Sequence, residues 1–254
     1  MKVKIITSGS KANCTLVVCN NTKILIDVGA TTQYIVEELK KVDITPDELD
    51  AILITHTHSD HIRGLKTFIK KTKADVYITE ELAPVIIKNV PATKIKLVED
   101  SFKVKDVILK FFKLSHDVPC NGIYINDGNK ELVYITDTGY VNKKYYSFLK
   151  NKDIYIMESN YNEKMLLNGP YPFILKQRIL SDSGHMSNKY SGNLLTKLVG
   201  DNTKVVFLAH ISENNNTYDL AKEEVVEELQ KIDFDINNII VTHQLQSLEM
   251  IEIW

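Results

Sequence analysis

Short apolar runs separated by turn-forming clusters dominate the first part of the chain. Val3 to Thr7, Thr15 to Cys19 and Lys23 to Asp27 read as strands, joined by Ser8-Gly9-Ser10-Lys11-Ala12-Asn13 and by Asn20-Asn21. Thr32 to Lys41 reads as a helix that ends before Pro46, and Ala51 to Thr55 as a buried strand. Ser59 or Asp60 can cap a helix predicted to run through Ile69. A strand over Ala74 to Thr79 and a short helix near Glu80 to Lys88 follow. The strand signal returns at Ser101, over Val107 to Leu114, Gly122 to Asn126 and Leu132 to Thr136. Lys143 to Leu149 is a short helix and Ile154 to Glu158 a buried strand. Asn160 to Ser181, with Pro170 and Pro172, is the least regular segment and is expected to be a surface elaboration. Ser187 to Val199 (helix), Lys204 to Leu208 (strand) and Thr217 to Lys231 (amphipathic helix) come next, before strands over Asn238 to Val241 and Leu248 to Ile253. Strands followed by helix occur in both halves, with no fixed-period repeat and no low-complexity linker. Residues 1–254 are therefore expected to form one domain.

Composition narrows the classes. A hydrophobic fraction of 44% with 25% charge is ordinary for a globular protein with a sizeable core. The net charge of −2 argues against a strongly basic nucleic-acid binder. It leaves a nuclease open, because bound metal ions add positive charge that the sequence does not count. Cys14, Cys19 and Cys120 form no CxxC pair and follow no signal peptide, so reduced, buried thiols in the cytoplasm are expected. No apolar run reaches the roughly 18 residues that would span a bilayer, and no membrane partner is expected.

The histidines carry the chemistry. Six of the seven sit at predicted strand ends or helix starts, where loops on a rigid scaffold bear function. His56, His58 and His61 follow the strand Ala51 to Thr55 directly, with Asp60 among them. Neutral imidazoles spaced this closely at a strand end converge on one point, and the carboxylate adds a hard oxygen ligand. Such donors suit zinc or iron, and the carboxylate broadens the choice to manganese. Four ligands in six residues are too many for one ion on so short a tether, which points to two ions sharing the loop.

The run Thr55-His56-Thr57-His58-Ser59-Asp60-His61 resembles the HxHxDH signature of the metallo-β-lactamase fold superfamily. Asp27, His116, Asp137 and His210 match that family's later motifs in order, so the resemblance covers nearly the whole chain. It implies an α/β (α+β) fold, a four-layer αβ/βα sandwich of two mixed sheets with outer helices and the metals at its rim. It also implies two divalent ions, zinc first and manganese or iron as alternatives. His56, His58 and His116 would hold the first and Asp60, His61 and His210 the second, with Asp137 bridging and Asp27 buttressing the metal loop. Within the superfamily, Ser8-Gly9-Ser10-Lys11-Ala12-Asn13-Cys14 is similar to the SGSxGN opening of the YycJ (WalJ) family, with Ala12 where glycine is usual. Glu158-Ser159-Asn160 is similar to that family's E-[AS]-N segment, with Tyr161 where histidine is common. The family implies a metal-dependent phosphodiesterase of the 5′-to-3′ DNA exonuclease type, with DNA or RNA as the partner to expect.

Asp60 is expected to orient or deprotonate the attacking water. His185, placed as in the superfamily's tRNA-processing nucleases, is expected to protonate the leaving oxygen. Ser8, Ser10, Lys11, Asn13 and Asn160 are the expected substrate contacts, since such turns present N–H groups to phosphate. Lys176 and Arg178 are further candidates for phosphate, and His243 is expected to be structural. A small-phosphodiesterase, thioesterase or glyoxalase II-like hydrolase would use the same ligands. A di-iron redox module is disfavoured by His58, and a common β-lactamase by the absence of a suitably placed cysteine.

Overall fold

The computed structural model describes residues Met1–Trp254. Its first three strands, β1 (Lys2–Thr7), β2 (Cys14–Cys19) and β3 (Thr22–Ile26), are nearly continuous buried runs. Tight turns let them pair antiparallel, Val3 opposite Val17 and Leu16 opposite Leu25. A parallel neighbour needs a longer crossover. Helix α1 (Thr32–Lys40), capped by the Thr31 side chain, supplies it and leads to β4 (Ala51–Leu53) beside β3. Helices α2 (Ser59–Ile62) and α3 (Leu65–Phe68) lead to β5 (Asp75–Ile78), and α4 (Ala83–Ile86) to β6 (Ile95–Leu97), both added in parallel.

The second half repeats the plan. β7 (Ser101–Val104), β8 (Val107–Leu114), β9 (Cys120–Asn126) and β10 (Glu131–Ile135) form an antiparallel meander. After α5 (Tyr146–Leu149), β11 (Ile154–Glu158) joins β10 in parallel. Helices α6 (Glu163–Asn168), α7 (Phe173–Leu180) and α8 (Asn188–Leu198) precede β12 (Val205–Ala209), and α9 (Tyr218–Leu229) precedes β13 (Ile239–Val241). β14 (Ile251–Glu252) crosses back to pair with β1. Two seven-stranded mixed sheets result.

Their inner faces meet in one apolar core that draws Ile5 and Leu53 from the first sheet and Phe111, Tyr134 and Phe207 from the second. Ile35, Leu65, Phe68 and Ile86 cover the outside of the first sheet, and Leu194, Leu198, Val225 and Leu229 that of the second. The architecture is the expected αβ/βα sandwich. No helix is long and apolar enough to cross a membrane.

Three stretches of the chain depart from expectation. The helix expected from Ser59 to Ile69 breaks at Arg63–Gly64. The carbonyls of Asp60 and His61, which the next helical turn would need, instead accept from Asn13 N (2.8 Å) and Val28 N (2.7 Å). Gly64 N turns to Val28 O (2.8 Å), so the helix cannot propagate. The segment Asn160 to Ser181 is not irregular: it forms α6 and α7, with Asn162 capping the first through Met165 N. Pro172 stands just ahead of α7, where a missing N–H costs nothing. β6 and β7 were not separately expected; both are sheet edges with half-exposed faces and lack the buried alternation that marks a strand.

Candidate metal centre

Strand ends deliver the site. Asp27 follows β3, the His56–His61 loop follows β4, His116 follows β8, Asp137 follows β10, Glu158 closes β11 and His210 follows β12. Asp27, Asp137 and His210 all take left-handed backbone, at φ 59°, 58° and 55°. Asp and His tolerate this better than β-branched residues do, yet it costs roughly 1–3 kcal/mol each. Three such residues at one rim mean that the packed sheets hold the chain in shape against local preference. Gly29 permits the close seating of the metal loop: a Cβ there would lie 1.6 Å from Asp60 O and 2.7 Å from Asn13 N.

The side chains fall into overlapping groups. The ligand atoms of His56, His58 and His116 lie within 4.8 Å of one another, as do those of Asp60, His61, Asp137 and His210. A further set, Asp137, Glu158, His185 and His210, meets the same distance limit. In each ring one nitrogen is held from outside. His56 Nδ1 lies 3.1 Å from Thr55 Oγ1, and His58 Nε2 lies 3.2 Å from Asp117 Oδ1. His116 Nδ1 lies 3.1 Å from Gly184 O, and His61 Nδ1 lies 2.7 Å from Asp27 Oδ2. His210 Nδ1 lies 3.0 Å from Glu158 Oε1. Such outer partners fix the tautomer of a metal-binding imidazole and leave the other nitrogen for the ion. The inward atoms are then His56 Nε2, His58 Nδ1, His116 Nε2, His61 Nε2 and His210 Nε2.

Three of the buried atoms turned inward, His56 Nε2, His210 Nε2 and Asp137 Oδ2, have no hydrogen-bond partner. Orphaned buried polar atoms cost roughly 1–3 kcal/mol each, a cost that positive charge held among them relieves, whether a metal ion or an imidazolium proton such as that of His61 Nε2, 3.1 Å from Asp137 Oδ2. The donor set, imidazole nitrogen with carboxylate oxygen, fits divalent metal.

Electrostatics agree. Burial pushes the His56 and His116 pKa values down, which favours the neutral, ligating form. For His61, burial works downward but Asp137, Asp27 and Asp60 overcome it and raise the value well above the ordinary one. For His210 burial is likewise overcome, by Asp137, Asp60 and Glu158, and the value rises to about 10. Burial would raise Asp60, Asp137 and Glu158, but neighbouring imidazoles outweigh it and hold all three low. Without metal, imidazolium protons thus balance the carboxylates.

His185 lies at the edge of this centre. Its Nδ1 is 2.8 Å from Glu158 Oε1, and its ring packs against His210 and His116 at centroid distances of 5.3 and 5.4 Å. Glu158 Oε1 thus serves two imidazoles, while Oε2 accepts from Thr138 N (2.9 Å).

The expected substrate contacts divide. Ser8, Asn13 and Asn160 are buried, and each has a side-chain polar atom engaged within the protein. Ser8 Oγ accepts from His210 N (2.9 Å), and Asn160 Nδ2 donates to His210 O (2.7 Å). Asn13 Nδ2 donates to Gly9 O (3.0 Å) and Asp60 Oδ2 (3.1 Å). These three brace the centre from behind. Ser10 and Lys11 stay exposed, Lys11 paired with Glu213 at 2.7 Å. Lys176 donates to Leu167 O, and Arg178 pairs with Asp117. The His243 ring packs on Tyr218 at 4.1 Å between centroids. The sequence reading missed Asp117 and the double duty of Glu158. The signals available for Glu158 were its place in the E-[AS]-N segment and its position as a carboxylate closing the apolar run Ile154-Tyr155-Ile156-Met157.

Comparison with known proteins places the chain. Residues 8–210 match the family model of the metallo-beta-lactamase superfamily. The chain belongs to that superfamily. It is 34% identical to the exodeoxyribonuclease WalJ of Streptococcus pneumoniae over 243 residues, 92% of this chain and 90% of that protein. It is 32% identical to the exodeoxyribonuclease YycJ of Bacillus anthracis over 245 residues, 94% and 93% of the two chains. The chain is thus also a member of the WalJ/YycJ group. Among solved structures, the metallo-beta-lactamase fold protein YhfI of Bacillus subtilis superposes with a TM-score of 0.73 at 19% identity, covering 97% of this chain and 98% of its own. Human tRNase Z, short form, gives 0.67 at 16% identity, covering 98% and 99%. At such identities these two likenesses establish the fold alone.

Proposed function

We propose that this chain is a dinuclear metal-dependent phosphodiesterase that degrades nucleic acid from an end, as a 5′-to-3′ DNA exonuclease. The observation that carries the reading is His185, a histidine outside both ligand groups yet packed against a ligand of each. Its Nδ1 is tied to the buried Glu158, so its other nitrogen is free for proton transfer. The names of the WalJ and YycJ relatives support DNA as the substrate.

In this reading His56, His58 and His116 hold one ion and Asp60, His61 and His210 the other, zinc first and manganese or iron as alternatives. Asp137 stands between the groups: it is grouped with the second set and acts electrostatically on His56 and His116 of the first. A bound metal pair supplies a water of near-neutral pKa and a clamp on the attacking and leaving oxygens of an in-line displacement. Asp60, held by Asn13, would orient the attacking water. His185 donates its proton to the departing oxygen, and Glu158 stabilises the imidazolium that precedes the transfer. Exposed Ser10 and Lys11 face the phosphate. Three buried thiols fit work in a reducing cytoplasm.

The test is a substrate panel on metal-loaded protein: single- and double-stranded DNA, RNA, bis-p-nitrophenyl phosphate and a thioester. Shortening of DNA from the 5′ end with the thioester untouched is the expected pattern. A thioester turned over faster than every phosphodiester would move the chain to the glyoxalase II-like reading.

A further inference from the structure

Beyond the metal centre, helices α6 and α7 present an apolar face to water. Phe173 is 73% exposed, Ile174 83% and Leu167 56%. Large apolar side chains gathered in one exposed place mark a contact surface.

The face is rigidly joined to the centre. Arg178, at the far end of α7, pairs with Asp117, whose other oxygen lies 3.2 Å from His58 Nε2. His185 N donates to Ile179 O at 3.1 Å, so the proton-transfer histidine hangs from the same helix end. Phe173 stands five residues before Arg178, about 7.5 Å along the helix axis.

Charge indicates what the face accepts. Helices α6 and α7 carry Lys164, Lys176 and Arg178 against the single carboxylate Glu163, and with Arg178 paired to Asp117 the cations left for a ligand are Lys164 and Lys176. Lys176 Nζ sits on Leu167 O at 2.7 Å, which places a cation beside the exposed apolar residues. A symmetric contact with a second copy would set these cations against their own duplicates. A polyanion meets them favourably. An exposed aromatic ring flanked by aliphatic side chains and cations is the combination that holds unpaired nucleotides, the base stacking and the phosphate meeting the cation. Paired bases inside a duplex offer no free face to such a ring.

We propose that the α6–α7 face, with Phe173 at its centre, is the platform on which unpaired nucleotides beside the scissile phosphate dock. The proposal rests on the nucleic-acid reading above and names the part of the substrate that this surface holds.

Steady-state kinetics of metal-loaded wild type, Phe173→Ala and Phe173→Trp test it, on a single-stranded deoxyoligonucleotide and on bis-p-nitrophenyl phosphate, with light scattering for mass. Phe173→Ala should raise KM on the oligonucleotide roughly 10-fold, since a stacked base contributes about that much or more. Turnover of bis-p-nitrophenyl phosphate should not change, and Phe173→Trp should restore the oligonucleotide KM. An unchanged oligonucleotide KM, or equal loss on both substrates, overturns the platform while leaving the nuclease reading intact. A wild-type dimer that Phe173→Ala dissociates would show that a second copy covers the face, and overturns it too. Wild type inert on every oligonucleotide would remove the nucleic-acid reading and the platform with it.

Discussion

Glu158 Oε1 lies within hydrogen-bond distance of two imidazoles, and what separates them is where their free nitrogens point. His210 turns a buried, partnerless Nε2 into the ligand group, while the His185 side chain stays 20% exposed at the mouth. This predicts different losses. His185→Ala should keep its metals and lose roughly 10²–10⁴ in turnover on DNA, the usual worth of a general acid. The loss should shrink on bis-p-nitrophenyl phosphate, whose leaving oxygen needs little protonation. A variant that loses metal, or is impaired alike on both substrates, would return His185 to a structural role. Protons give a second prediction at this scale. In the metal-free chain His61 and His210 are raised from an ordinary 6.5, His210 to about 10. Groups raised in this way contribute stability that is complete below their ordinary pKa and is lost as pH rises through the raised value. Metal needs the neutral rings and displaces these protons. Zinc added at pH 8 should therefore release about one proton from each of the two, read with an indicator dye in weak buffer. Release near zero would mean that the ions bind elsewhere. The loop that gathers the candidate ligands was legible because four donors in one short stretch have few other uses. Asp117 and Glu158 were not, because their partners Arg178, His185 and His210 arrive from distant elements.

At the scale of elements, the end of α7 and the turn after it do much of the positioning. Asp117, clamped by Arg178, faces His58; Gly184 O faces His116; Ile179 O accepts from His185 N. A Cβ at Gly184 would lie 2.2 Å from Ile179 O, so this turn can close only on glycine. Asp117→Ala, which removes the carboxylate that Arg178 clamps against His58, should weaken retention of one of the two ions by roughly 10–100-fold, the usual effect of removing an outer partner, and spare the other. Competition with a metal chelator reads both sites, and equal loss at the two, or none at either, would contradict the link. This segment was also the one least legible in the sequence. Pro170 and Pro172 read as irregularity, and exposed Phe173 and Ile174 removed the apolar stripe by which a surface helix is recognised. The opposite error came at Gly64, where a plausible helical run was cut because loop amides from Asn13 and Val28 took its carbonyls. Neither competition is visible in a local window.

At the scale of the molecule, two sheets sharing one core bring six strand ends to a common rim. The strands that build this rim were legible because their apolar runs are bounded by turn residues on both sides, whereas the edge strands β6 and β7, with little to bury, were not. The rim orders carboxylates and imidazoles against desolvation and backbone preference, which the surrounding core sustains. Ions that bind the folded chain and not the unfolded one relieve that cost, so chelation should lower the melting temperature. The most direct measurement is elemental analysis, at pH 7.5, of protein purified without chelators and then saturated with zinc or manganese. The two ligand groups predict two ions per chain. A stoichiometry that stays at one under metal excess would contradict the paired centre and the mechanism built on it.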